Sequence, residues 1–135
     1  MIMDTLEVSI LIPVSCNLLY DAFLNSQVHS AFTNSPAVIN NRPGGSYSAY
    51  NGYISGVILS LDPGRRIIET WRTTDFHDDD EDTILQIDFI PEQELTRVVL
   101  TQTNLPEGTA DGYKQGWIEY YLVPLKDYFN PRNDK

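Results

Sequence analysis

The stretch Gly112-Tyr113-Lys114-Gln115-Gly116-Trp117-Ile118-Glu119-Tyr120-Tyr121-Leu122-Val123-Pro124-Leu125-Lys126-Asp127-Tyr128-Phe129 repeats its large residues at helical spacing. Tyr113, Trp117, Tyr120, Tyr121, Pro124, Leu125 and Tyr128 fall on one side, and Lys114, Glu119, Lys126 and Asp127 on the other. An aromatic stripe of this size has to be covered, because left in water it would drive aggregation. Pro124 lies within the stripe, donates no hydrogen bond and leaves the Tyr120 carbonyl without its usual helical partner, so a kink is expected there. Gly108, Gly112 and Gly116 recur every fourth residue and form a strip without side chains. Such a strip suits either tight packing on a sheet or space left for a ligand.

What the stripe covers lies upstream. Thr5 to Ile12 alternates, with Leu6, Val8, Ile10 and Ile12 on one face, and reads as a half-buried strand ended by Pro13. Ser15 is placed to cap a helix carrying Leu19, Ala22 and Phe23. Ser26 is placed to cap a second helix with Val28, Ala31 and Phe32, closed by Asn34-Ser35-Pro36. Beyond Arg42 the punctuation is that of hairpins: Asn51-Gly52 fits a tight turn joining Ser46–Tyr50 to Tyr53–Leu61, and Pro63-Gly64 fits a type II turn leading into Arg66–Thr73. Thr83 to Ile90 and Thr96 to Thr103 complete a meander. The order strand, two helices, strands, long helix predicts an α+β fold. A curved antiparallel sheet of about six strands wraps the terminal helix in a single domain over residues 1–135, with Asn130 to Lys135 as a frayed tail.

Composition narrows the function. The chain has 135 residues, 41% of them hydrophobic, with 8 Tyr, 5 Phe and 2 Trp, which is enough to build a core. No apolar run approaches a membrane span of about 20 residues, and Met1-Ile2-Met3-Asp4 does not begin a secretion signal, so a cytoplasmic location without membrane partners is expected. A net charge of -10 disfavours nucleic acid, since phosphate binding needs a basic patch. Cys16 is the single cysteine, and His29 and His77 are the only histidines, too few for a zinc site; no metal and no cofactor are expected. The acidic run Asp75, Asp78, Asp79, Asp80, Glu81 and Asp82 lacks the ligand spacing of a calcium loop and reads as a solvated hairpin tip able to steer a basic partner.

No nucleophile stands beside a base, and no catalytic residue is assigned. Cys16 and His29 read as packing or surface residues. Glu69 shares a strand face with Ile67 and Trp71, so if that face is the concave one, a carboxyl sits among apolar groups and needs a partner. Tyr120 is one candidate, while alternation puts Arg72 on the opposite face. The other reading is a partly wet face with Glu69 as ordinary surface.

Several segments, taken in order, resemble one family. Ala31-Phe32-Thr33-Asn34-Ser35-Pro36-Ala37, Gly44-Gly45, Gly52-Tyr53-Ile54-Ser55-Gly56, Ile67-Ile68-Glu69-Thr70-Trp71-Arg72, Gly116-Trp117 and Tyr120-Tyr121 are similar to the START-like (SRPBCC, Bet v 1-like) activators of the heat-shock protein 90 ATPase. The resemblance runs from about Leu6 to Phe129 and looks like the standalone, single-domain form. It implies a helix-grip fold, often with an apolar cavity, and a link to a stress-response chaperone. Three readings follow. The first is a non-enzymatic domain holding a small apolar or amphipathic ligand between sheet and helix, in a cavity lined by Val57, Leu59, Glu69, Trp71, Leu85, Ile87, Tyr113, Trp117 and Tyr121. The second is a co-chaperone of a heat-shock protein 90 type ATPase. The third, an enzyme of the related cyclase or hydrolase branches, needs an acid-base pair in that cavity. The chain is read as monomer or homodimer, the latter through exposed Tyr and Phe near the C-terminus.

Overall fold

The structure is a computed structural model and describes residues 3–129; the tail reading of Asn130 to Lys135 lies outside them. Seven strands form one antiparallel sheet: β1 (Asp4–Ile12), β2 (Val38–Ile39), β3 (Ser46–Ala49), β4 (Ile54–Asp62), β5 (Arg66–Thr73), β6 (Thr83–Glu92) and β7 (Leu95–Leu105). Their order across the sheet is β1-β7-β6-β5-β4-β3-β2, so the first strand closes against the last and the meander unrolls from there. The strand beyond the expected six is β2, only two residues long. It is pinned by the Ile39 amide, which donates to Ser26 Oγ at 2.9 Å.

That bond corrects a capping assignment. Helix α1 (Cys16–Leu24) is capped by Ser15, whose Oγ accepts from the Leu18 amide at 3.2 Å. Helix α2 (Ser26–Thr33) is capped by Asn25, whose Oδ1 accepts from the Val28 amide at 3.0 Å, and not by Ser26. Asn caps as well as Ser, which leaves Ser26 free to hold the sheet edge.

The C-terminal rod consists of α3 (Ala110–Trp117), a wide π-turn (Ile118–Leu122) and α4 (Val123–Tyr128). Gly108 precedes it in a turn at φ 84°, so the helical glycine strip is Gly112 and Gly116 only. The π-turn, closed by the Val123 amide donating to the Ile118 carbonyl, stands immediately before Pro124, which sits in the first turn of α4 where proline is tolerated. Widening the helix by one residue turns its buried face. Leu122 and Leu125 follow Trp117 and Tyr121 into the core, while Tyr120 and Tyr128 stay exposed, a division that uniform helical spacing does not give.

The core lies between the concave face of the sheet and these helices. Alternate residues of β1 (Leu6, Val8, Ile12), β6 (Leu85, Ile87, Phe89) and β7 (Val98, Leu100) point into it and are nearly solvent-free. No helix among the described residues is long and apolar enough to cross a membrane.

Candidate functional site

Between the C-terminal rod and the far half of the sheet the packing opens into a pocket of about 430 Å³. Its sheet side carries Ile54 and Trp71, and its helix side carries Gly112, Tyr113, Gly116, Trp117, Tyr120 and Tyr121. The β3–β4 turn closes the end with Tyr50 and Tyr53. None of the lining residues is Lys, Arg, His, Asp or Glu.

Each wall has a local cause. A Cβ added to Gly112 would meet nothing within 4 Å, and one added to Gly116 would only touch the Tyr120 ring at 3.9 Å. No neighbour requires the glycines to be bare, so close packing on the sheet does not explain them, and the space beside them is pocket. Tyr50 and Asn51 both take left-handed backbone angles, at φ 50° and 57°, so the turn is broader than the two-residue hairpin that Asn51-Gly52 suggests. The strained position of Tyr50 throws its ring across the helix. Its hydroxyl donates to the Tyr120 carbonyl at 2.5 Å, the carbonyl that Pro124 cannot serve. The requirement for a donor at Tyr120 is written in the sequence at Pro124; that Tyr50 meets it is not.

Inside, aromatic rings meet at steep angles. Trp71 stands edge-on to Tyr113, with centroids 5.2 Å apart, and tilts against Trp117 at 5.5 Å, while Trp117 tilts against Tyr121 at 4.8 Å. Behind them runs a dry polar chain. Trp117 Nε1 donates to Gln102 Oε1 at 2.8 Å, Gln102 Nε2 to Thr83 Oγ1 at 2.8 Å, and Thr83 Oγ1 to the Trp71 carbonyl at 2.7 Å. Buried Gln102 and Thr83 thereby fix both tryptophans in place.

Through His29, Tyr121 also reaches a second, narrow cleft of about 10 Å³ beside α1 and α2. Its hydroxyl lies 2.9 Å from His29 Nε2, and His29 Nδ1 lies 3.0 Å from the Phe23 carbonyl. A carbonyl only accepts, so Nδ1 carries the proton, Nε2 accepts, and Tyr121 donates. Burial lowers the His29 pKa, partly opposed by the bond to Phe23, and keeps the ring neutral. Glu69 lines the same cleft between Tyr47, Ile67 and Ile87. Burial pushes its carboxyl up to about 8, against a downward pull from the Tyr47 hydroxyl. The residue is half-buried, and Tyr47, not Tyr120 or Arg72, is its polar neighbour.

The expected cavity residues therefore separate into four groups. Trp71, Tyr113, Trp117 and Tyr121 meet in the aromatic pocket. Glu69 and Ile87 lie in the narrow cleft, and Leu85 is packed in the core at 1% exposure. Val57 and Leu59, at 38% and 48% exposure, face away from the cavity; Ile58 points inward and pairs with Glu69, and the β4 register shifts between Ile58 and Ser60. Sequence reasoning missed Tyr50, Tyr53, Ile54 and Tyr120 as cavity residues, and treated His29 as an ordinary packing or surface residue.

Arg72 organises the acidic loop beyond β5. Its guanidinium donates to Asp82 Oδ1 at 2.9 Å and to the carbonyls of Asp80 and His77, and lies over the Phe76 ring. Cys16 Sγ sits 3.4 Å from Thr96 Oγ1 as a packing residue.

Comparison with known proteins places these features in a lineage. The sequence profile described as "Activator of Hsp90 ATPase homolog 1-like protein" matches residues 13–130. An activator of 90 kDa heat shock protein ATPase homolog from Dictyostelium discoideum is 32% identical over 82% of the chain and 29% of its own length. The human activator homolog 1 is 28% identical over 82% of the chain and 32% of its own length, so the chain spans about a third of these relatives. Among solved structures, an HSP90 activator from Plasmodium falciparum superposes with a TM-score of 0.85 at 22% identity, covering 92% of this chain and 94% of that one.

Proposed function

Because the chain belongs to the family of activator of Hsp90 ATPase homolog 1-like proteins, we propose that it is a non-enzymatic binding domain of that family, holding a small apolar or amphipathic molecule between the sheet and the C-terminal helix. The observation that carries this reading is the 430 Å³ aromatic pocket beside two glycines that no packing contact requires. Keeping glycine inside a helix costs up to about 1 kcal/mol per position relative to alanine. A cost retained without a packing reason points to the space itself.

The reading against enzyme chemistry rests on the same geometry. No Lys, Arg, His, Asp or Glu stands on the pocket walls, and Glu69 and His29 lie in a cleft too narrow for a substrate. Tryptophan emission tests the proposal directly, since the chain's two tryptophans, Trp71 and Trp117, both line the pocket. Titration with the neutral probe N-phenyl-1-naphthylamine should quench that emission saturably by energy transfer. A linear, non-saturating response would sink the pocket reading.

A second reading, favoured by the names of the relatives, is that the chain binds and stimulates a heat-shock protein 90 type ATPase. It uses the outer surface and is compatible with the pocket. Its test is titration into the cognate chaperone with an inhibitor control for contaminating hydrolysis; absence of both binding and stimulation at micromolar concentrations would discard it.

A further inference from the structure

The walls of the aromatic pocket specify more than apolarity. Four of the hydrogen-bond donors on its lining residues are already spent on the protein. Tyr50 Oη donates to the Tyr120 carbonyl, Tyr53 Oη to Asp75 Oδ2 at 2.6 Å, Tyr121 Oη to His29, and Trp117 Nε1 to Gln102. What these groups still present to the pocket is oxygen lone pairs and ring faces. Aromatic rings carry negative potential on their faces, and seven of the ten lining residues are aromatic. No Lys, Arg or His stands on the walls to greet an anion. Asp75 sits at the rim on Tyr53, and the chain as a whole carries a charge of -10. The carboxylates of Asp75 and Asp80 also help hold the Tyr113 hydroxyl above its ordinary pKa, behind the larger effect of burial, as a negative local field would.

Building on the pocket reading above, we propose that the occupant is an organic cation. It is a quaternary or tertiary ammonium on an apolar body, its charge against the faces of Trp71, Tyr113, Trp117 and Tyr120 and its body along Gly112 and Gly116. Carboxylates, phosphates and sulfonates of the same shape are refused, because the pocket offers them no positive group and would strip their water without replacing it. A neutral molecule of the same shape gains the apolar contacts but not the attraction of charge to ring face.

The test compares three ligands of one shape, followed by calorimetry and by Trp71 and Trp117 emission: benzyltrimethylammonium, its carbon isostere neopentylbenzene, and phenylmethanesulfonate. The cation should bind about tenfold or more tighter than the isostere, and the sulfonate should not bind measurably. Tyr120 is 57% exposed, so Tyr120→Ala should leave thermal unfolding nearly unchanged while weakening the cation several-fold and the isostere much less. An isostere that binds as well as the cation, a sulfonate that binds better, or a Tyr120→Ala variant with unaltered cation affinity overturns the proposal. Each of those results leaves the pocket reading standing as long as N-phenyl-1-naphthylamine saturates. If neither the cation nor the naphthylamine binds, both fall together.

Discussion

Half-buried Glu69 and buried His29 line the same narrow cleft and are shifted in opposite senses. The folded-state pKa of Glu69 is raised to about 8, above its ordinary 4.5. The native state therefore keeps a proton that the unfolded chain releases, and this stabilisation is full below about pH 4.5 and lost as pH rises through 8. The His29 pKa is lowered from 6.5, so its contribution is present above 6.5 and declines as the solution becomes more acidic. The two oppose each other just below 6.5, and only Glu69 acts between 6.5 and 8. In that upper window Glu69→Gln, which keeps the shape and removes the ionisation, should gain stability relative to the parent by at most about 1.4 kcal/mol per pH unit. Urea unfolding of both proteins at several pH values between those limits measures the difference. Parallel stability curves would show that Glu69 ionises normally and has water at its carboxyl.

The C-terminal rod trades its own stability for the pocket it borders. Gly112 and Gly116 have open space where a side chain would be, at helical backbone angles that alanine accepts. Gly112→Ala with Gly116→Ala should therefore raise unfolding stability by about 1 kcal/mol per site, while the added methyl groups narrow the pocket and weaken the naphthylamine probe. Loss of stability in the double variant, seen as a lower thermal midpoint, would mean that the glycines serve packing after all. The glycine spacing that raises this question can be read in the sequence, as can the strands and the helix, because alternation and helical periodicity are local. The four expected residues that do reach the pocket, Trp71, Tyr113, Trp117 and Tyr121, owe their placement to those two periods. Val57 and Leu59 were misplaced because Val57-Ile58-Leu59 is apolar at both parities, so composition leaves the phase of β4 open and pairing with β5 decides it. Tyr50 and Tyr120 were hidden for another reason: one depends on a left-handed turn and the other on a π-turn, and the two make sense only once a hydroxyl from the hairpin meets the carbonyl left over in the helix.

Two surfaces of the molecule are chemically unlike, and that difference separates the two functional readings. The pocket is uncharged, whereas the loop from Asp75 to Asp82 gathers carboxylates that Arg72 holds in order through Asp82 and the loop carbonyls. If the chain acts on a chaperone ATPase, a partner drawn to the acidic side should be held through screened, long-range charge. Stimulation should then fall several-fold as ionic strength rises from about 50 to about 300 mM, since the screening length shrinks to a few ångströms over that range. Asp78→Asn with Asp79→Asn, which leaves Arg72 its contacts, should reproduce part of that loss at low salt. The Gly112→Ala, Gly116→Ala variant should stimulate like the parent, because it alters the pocket and leaves the acidic loop as it is. Stimulation that ignores salt but disappears in the glycine variant would reverse the assignment, making the pocket itself the chaperone contact and an inserted side chain of the partner its occupant.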